Sequence, residues 1–254
     1  MEKIDDIKRL LEEETERINR PAFIASDPVQ FPRQFSDLRD IEIAAFLSAM
    51  IAWGNRKMIC RDADRLMDIM NREPAVFTKE RAFEELDDDR NIHRTFFARD
   101  LKYFLRGINL IYSKFSSLDD LGKSLRLYEE AAPAWRLTEE MLKYMREANH
   151  GQSNSRCLPT NLDATALKRI NMAIRWLVRK DGIVDLGVWD SIPQEKLFIP
   201  LDIHVGNVSR NLGLLQRKSN DRKAVEELTT VLRGFDPADP VKYDFALFGI
   251  GIGC

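Results

Sequence analysis

The chain has 254 residues, of which 44% are hydrophobic and 31% are charged, and its formal net charge is -2. This composition is typical of a soluble globular protein and excludes a globally basic nucleic-acid binder. No apolar run approaches the roughly 20 residues that a membrane span needs. The charged N-terminal segment has no signal-peptide core, so we expect a cytoplasmic protein with no membrane partner.

The cysteines and histidines do not form a recognisable ligand set. The three cysteines are far apart and odd in number, so we expect reduced thiols, and a four-cysteine iron–sulfur site is excluded. The three histidines show no ligand spacing with each other or with a cysteine. We therefore predict no metal and no cofactor. The sequence leaves open one alternative, an ion that only carbonyl oxygens bind.

Helical periodicity dominates the chain, and no alternating run is long enough for a sheet. We predict an all-α fold of about ten helices, with a proline-containing loop over 20–37. Asp163, Asp202 and Asp221 are each placed as helix N-caps. In chain order, the predicted helices cover 3–18, 38–53, 57–71, 74–86, 99–115, 118–130, 134–149, 163–179, 191–196, 202–212, 221–233 and 241–249.

The long central loops suggest how these helices are arranged. We predict a single unit over 1–254 that contains two helical lobes with a cleft between them. One lobe would cover 38–150, and the other would combine 1–37 with 151–254. A groove of this kind is a common place for a binding site.

Positive charge is concentrated in residues 156–180, which carry six basic side chains and one acidic side chain. On a helix over 163–179, the side chains of Lys168, Met172, Arg175 and Arg179 fall on one stripe beside an apolar stripe. A local basic patch can meet a phosphate backbone even when the net charge is negative. The alternative is the solvated face of an ordinary amphipathic helix.

Two side chains in this region suggest chemistry at a sugar carbon. Lys168 lies near the start of one predicted helix, and Asp202 begins another after Pro200 and Leu201. A lysine amine is a nucleophile for carbonyl and sugar carbons, and a nearby carboxylate can stabilise a developing cation. Asp202 is also a good N-cap, which contributes roughly 1 kcal/mol. The two roles are compatible, because capping holds the carboxylate in one rotamer.

These residues resemble the helix-hairpin-helix DNA glycosylases, most closely the 8-oxoguanine glycosylase branch and its archaeal form. Leu158-Pro159 is similar to the start of the hairpin, the segment KRINMAIRW carries Lys168, and the segment PLDIH carries Asp202. The likeness is clearest over 157–215 and fainter over 45–70. The whole chain also resembles an uncharacterised bacterial family of unknown function.

The resemblance implies a helix-hairpin-helix glycosylase-like fold and assigns roles to the residues in its motifs. Lys168 would attack the sugar C1′ and form a Schiff base, and Asp202 would stabilise the oxocarbenium-like sugar. His204 would lie near a phosphate beside the flipped nucleotide, and Met172 would pack against the flipped base. Two weaker candidates for the base pocket lie in the terminal helix, Phe245 and Phe248.

The resemblance also implies contacts with duplex DNA. A turn after the second helix would fill the hole that the flipped base leaves, and arginines would bind the phosphates. The side chains placed against DNA are Trp53, Asn55, Arg56, Arg169, Arg175 and Arg179. The hairpin over 159–163 departs from the family because it contains no glycine, which puts phosphate binding by its backbone in doubt.

The sequence therefore predicts a monomeric DNA glycosylase with β-lyase activity. Its partner would be double-stranded DNA that carries an oxidised purine or an abasic site. A second hypothesis is a non-catalytic nucleic-acid-binding protein that retains the glycosylase fold, which the missing glycines favour. A third is a helical interaction module in which residues 168–180 form only a solvated face.

Overall fold

Helices form most of the chain, in a computed structural model that describes residues 2–253 and the side chains of residues 4–253. The predicted all-α class is confirmed over these residues. Cys254, one of the three cysteines, lies outside the described residues. Within residues 2–253, none of the helices is both long and apolar enough to cross a membrane. The division into two lobes stays a prediction.

The helices follow the predicted order, and most boundaries lie within five residues of the prediction. The predicted helices over 74–86 and 118–130 end early, at Lys79 and Ser124, and the one over 191–196 is a short 3₁₀ turn. The α-helices are α1 (Glu2–Ile18), α2 (Pro21–Ile24), α3 (Leu38–Met50), α4 (Arg56–Ile69), α5 (Pro74–Lys79), α6 (Ala98–Lys114), α7 (Leu118–Ser124), α8 (Pro133–Ala148), α9 (Lys168–Val178), α10 (Ile203–Asn211), α11 (Arg222–Phe235) and α12 (Asp244–Ile252). Short 3₁₀ turns lie at Pro28–Gln30, Pro32–Gln34, Ala82–Glu85, Gln194–Lys196 and Pro240–Tyr243.

A two-stranded antiparallel hairpin departs from the expectation of no sheet. Strand β1 (Asn91–His93) pairs with strand β2 (Phe96–Phe97). The strands are too short for an alternating pattern to be recognised. Ile92 and Phe96 are fully buried and attach the hairpin to the core.

The segment over 20–37 is more regular than the predicted loop. It contains α2 and two 3₁₀ turns, and each of the three begins with a proline at its first positions. Proline favours the first turn of a helix, because its fixed φ suits that position. The N–H groups of this turn have no acceptor within the helix, so the N–H that proline lacks costs no hydrogen bond. The same prolines that indicated a loop therefore begin short helical turns.

The start of α9 is also different from the prediction. The helix begins at Lys168, and its N-cap is Leu167 in a left-handed conformation with φ 48°. Asp163 is an exposed residue in the preceding segment and does not cap the helix. Residues 149–167 contain no helix, so the hairpin expected at Leu158-Pro159 lacks an adjoining first helix. The N-cap predictions for Asp202 and Asp221 are confirmed.

Helix packing brings several helix ends to one place. The buried helix α3 packs against α9, while α12 packs against both α1 and α10. Glycines permit the close approach of α12. A Cβ atom on Gly249 would lie 2.0 Å from Ile18 Cδ1, and one on Gly251 would lie 2.9 Å from His204 Cβ. The glycine-containing C-terminal half of α12 thus packs on α1 and on the first turn of α10, next to Asp202.

Candidate active site

The amine of Lys168 and the carboxylate of Asp202 lie together, as the sequence predicted. Lys168 Nζ is 3.9 Å from Asp202 Oδ2, and both side chains are about three-quarters buried. The other carboxylate oxygen, Asp202 Oδ1, accepts hydrogen bonds from the backbone N–H groups of His204 (2.9 Å) and Val205 (3.0 Å). Asp202 therefore caps α10 with one oxygen and faces the lysine with the other.

The pair lies in a cavity of about 940 Å³ that is bordered by several segments. A cavity of this size can hold a nucleotide-sized ligand. Its lining comes from the turn after α3, the tip of the hairpin and helices α9, α10 and α12. The segments over 23–28 and 155–156 also line it. Ten of the predicted site residues line it, namely Trp53, Asn55, Arg56, Lys168, Arg169, Met172, Arg175, Asp202, His204 and Phe248.

Lys168 and its neighbours give the cavity a mixed lining. Lys168 Nζ also lies 3.5 Å from Met172 Sδ, one turn further along α9. Arg56 is paired with Asp27 at 2.7 Å, and its guanidinium lies over the ring of Phe248 at 5.3 Å from the centroid. The amine thus lies against a thioether, and an aromatic ring lines the same cavity.

Two of the predicted DNA-binding arginines are buried, which corrects the expectation of an exposed basic stripe. Arg175 and Arg179 are 4% and 3% exposed. Arg175 pairs with Asp185 at 3.3 Å and with Asp244, and Arg179 pairs with Asp185 at 3.0 Å and with Asp239 at 2.9 Å. Their charge is therefore neutralised inside the protein, because aspartates from later segments meet it.

The prediction that Phe245 belongs to the base pocket is also corrected. It is 1% exposed and packs edge-on against Phe23, with a centroid distance of 5.4 Å. The guanidinium of Arg175 covers its ring at 4.5 Å. Phe245 therefore belongs to the support beneath the cavity, whereas Phe248, the other predicted aromatic side chain, lines the cavity itself.

Arg169 fixes the position of the turn that follows α3. Its Nη1 donates a hydrogen bond to the carbonyl oxygen of Met50 at 2.8 Å, and its guanidinium lies 5.4 Å from the ring centroid of Trp53. Burial lowers the pKa of Arg169. After this turn, Asn55 caps α4 by accepting hydrogen bonds from the N–H groups of Lys57 and Met58. The turn is held at both ends.

Comparison with known families finds one family model that covers almost the whole chain. A family model described as "Protein of unknown function (DUF2400)" matches residues 27–253. The chain belongs to the DUF2400 family. The expected resemblance of the whole chain to an uncharacterised family is confirmed. No curated protein matches the chain, and no solved structure matches it either.

The sequence reasoning missed two acidic residues that line the cavity of this DUF2400 member, Asp27 and Asp244. Asp244 begins α12, is 7% exposed and lines the cavity. Burial raises its pKa from 3.8 to about 6, and Asp202 adds to the rise, while Arg175 and Lys168 oppose it. The signal available in the sequence was an isolated acid at the start of an otherwise apolar helix.

The pKa of Asp244 predicts how stability depends on pH. Because the folded protein holds this proton more tightly than the unfolded chain, its contribution to stability is complete below pH 3.8 and is lost as the pH rises through about 6. Asp244→Asn removes the titration. We expect the free energy of unfolding of the variant, relative to the native protein, to rise by about 2 kcal/mol between pH 4 and pH 7. Urea unfolding of both proteins at pH 4 and pH 7 measures this change. A difference in unfolding free energy that is the same at both pH values would contradict the prediction.

Proposed function

We propose that this protein is a DNA-repair glycosylase with associated lyase activity, acting on an oxidised purine in double-stranded DNA. The observation that carries the proposal is the distance of 3.9 Å between Lys168 Nζ and Asp202 Oδ2 in a cavity of about 940 Å³. An amine and a carboxylate at this separation suit an attack on a sugar carbon that passes through a cation-like state.

The proposed reaction begins at C1′ of the damaged nucleotide. Lys168 reacts as the neutral amine, after its ammonium proton has passed to solvent. The lone pair of Nζ forms a bond to C1′ while the bond from C1′ to the base breaks. The base leaves with the electron pair of that bond and takes up a proton. The carboxylate of Asp202 stabilises the positive charge that develops on the sugar. Loss of a proton from the attached amine and opening of the sugar ring give an imine, from which β-elimination breaks the strand.

The cavity supports a step in which the base leaves the duplex. Unstacking a base costs a few kcal/mol, which an apolar pocket can offset. Met172, Phe248 and Trp53 provide thioether and aromatic surfaces in the same cavity as the lysine. Stacking on an aromatic face stabilises any base by roughly 1–3 kcal/mol, independent of its hydrogen-bonding edge.

Phosphate contacts are proposed at the two helix N-termini that carry the reactive pair. α9 begins without a side-chain cap, so the backbone amides of its first turn are available to an anion. His204, which is exposed at the start of α10, lies at the second terminus. These contacts would hold the strand on either side of the nucleotide without reading its sequence.

Borohydride trapping tests the proposal. The native protein is incubated with duplexes that contain 8-oxoguanine, an abasic site or only normal bases, in the presence of sodium borohydride. We expect a covalent protein–DNA adduct with the abasic duplex and with the 8-oxoguanine duplex, but not with the undamaged one. Failure to trap either damaged duplex, under conditions in which a known glycosylase traps, would contradict the proposal.

A second candidate is a nucleic-acid-binding protein without catalysis. It is favoured by the irregular segment over 149–167 before α9 and by the absence of glycine from residues 159–163. This candidate predicts salt-sensitive binding that survives both Lys168→Gln and Asp202→Asn, with no turnover by any variant.

A further inference from the structure

The hairpin formed by β1 and β2 is fixed to the turn at the edge of the cavity. His93 is fully buried, and its Nδ1 lies 2.7 Å from Asp62 Oδ2 of α4. Its Nε2 lies 3.0 Å from the carbonyl oxygen of Trp53, and its ring meets the Trp53 ring edge-on at 4.8 Å. Arg65 of α4 donates a hydrogen bond to the carbonyl oxygen of Ile92. The hairpin and the turn over 53–55 therefore form one unit, which we call the prong.

The tip of the prong carries a positively charged side chain. Arg94 is exposed and occupies the two-residue loop of the hairpin with φ 48°. Glycine or asparagine is usual at such a position, and an arginine there costs roughly 1 kcal/mol. The Asn91 side chain donates to the Arg94 carbonyl oxygen at 2.7 Å and closes the loop. Among residues 4–253, no carboxylate forms an ion pair with Arg94.

The side chain of Arg94 is directed along the turn. A Cβ atom placed on Gly54 would lie 2.5 Å from Arg94 Nη1, so the guanidinium rests against this glycine. The next hairpin residue, Thr95, lines the cavity together with Gly54 and Asn55. Lys57, in the first turn of α4, adds a second cation without an ion pair in the described part of the chain. Arg94 on the prong and Lys57 beside it thus present positive charge near the edge of the cavity.

We propose that Arg94 contacts the DNA strand opposite the extruded nucleotide. The proposal rests on the proposed function, because it assumes a nucleotide held at Lys168. Gly54 and Thr95 line the same cavity as Lys168 and Asp202, and Arg94 rests against Gly54. A duplex that places one nucleotide in this cavity therefore brings its remaining bases and phosphates to the edge where Arg94 lies. A guanidinium suits both partners found there, since it binds phosphate oxygens and the acceptor edges of an unpaired base.

Binding measurements on two forms of one oligonucleotide test this assignment. The oligonucleotide carries a tetrahydrofuran abasic analogue, which the protein cannot turn over, and is used as a duplex and as a single strand. We expect Arg94→Ala to weaken duplex binding about tenfold, equivalent to about 1.4 kcal/mol, and to leave single-strand binding unchanged. Arg90→Ala is the matched control, because this exposed arginine precedes the opposite end of the same hairpin.

The outcomes separate this inference from the glycosylase proposal. Equal weakening on both oligonucleotides, no weakening, or the same weakening by Arg90→Ala would overturn the role of Arg94. A protein that binds the duplex but traps no abasic DNA would refute the lyase activity, and the comparison of Arg94→Ala with Arg90→Ala would still decide the opposite-strand contact. A native protein that binds neither oligonucleotide would overturn both.

Discussion

Lys168→Gln is expected to abolish the borohydride-trapped adduct with abasic DNA while the variant still folds and binds the same duplex. Glutamine keeps a polar side chain at the start of α9, but its amide nitrogen cannot form an imine. The lost ion pair has little effect on stability, since a partly exposed pair at 3.9 Å contributes at most about 1 kcal/mol. Trapping on a gel measures the adduct, and anisotropy with the abasic-analogue duplex measures binding.

Asp202→Asn separates the two roles of the carboxylate. Asparagine is as good an N-cap as aspartate, so α10 is expected to keep its first turn. Loss of the negative charge is expected to slow base excision by about 10²–10³-fold, the cost of removing one electrostatic stabiliser of a transition state. Asp221→Asn is the matched control, because Asp221 caps α11 by accepting from Ala224 N at 3.1 Å and does not line the cavity.

The results of these variants would identify the reactive groups. Trapping by Lys168→Gln at the native level would show that another amine forms the adduct, and the site proposed here would be wrong. Equal rates for Asp202→Asn and Asp221→Asn would show that Asp202 only caps its helix. Loss of duplex binding by both Lys168 and Asp202 variants would indicate a structural role for the pair.

The positions of Lys168 and Asp202 were predictable because local rules determine them. A capping aspartate after proline locates the start of α10, and helical periodicity locates α9 to within five residues at its start. The resemblance to glycosylase motifs supplied the expectation that the two helix starts meet, and the structure brings the side chains together. Local sequence thus determines the elements that present the pair.

The surroundings of the pair depend on contacts that are distant in sequence. A helical projection places Arg175 and Arg179 beside Lys168, but it contains no information on Asp185, Asp239 and Asp244, which neutralise them. An arginine on a helix face is normally exposed, and only these partners make its burial possible. The prediction of an exposed basic stripe was therefore wrong at Arg175 and Arg179, where buried ion pairs replace contacts with solvent.

The hairpin was missed for a different reason. Its two strands hold five residues, too few for a periodic signal. Its turn lacks the asparagine or glycine that usually marks such a loop, because Arg94 occupies the left-handed position. The hairpin is stabilised by tertiary contacts instead, including the His93–Asp62 interaction of 2.7 Å. Such an element becomes recognisable only after α4 is in place.

Asp185→Asn is expected to destabilise the protein by about 3–5 kcal/mol, the cost of breaking a buried ion pair. The Asp185 side chain is fully buried and accepts hydrogen bonds from Arg175 at 3.3 Å and from Arg179 at 3.0 Å. A neutral amide would leave two buried guanidinium groups with less compensating charge, and its NH₂ group would compete with their donors. Because Arg175 also holds Asp244 at the start of α12, the support beneath the cavity should loosen as well.

Urea unfolding at neutral pH measures this loss, and Asp190→Asn provides the matched control. Asp190 is five residues further along the chain and pairs with Lys180 at 2.6 Å, but its side chain is 65% exposed. Water replaces the lost interaction at such a position, so the expected change is below about 1 kcal/mol. A similar small change for Asp185→Asn would mean that the desolvation of these charges cancels their attraction, and the buried network would then contribute to the shape of the cavity but not to stability.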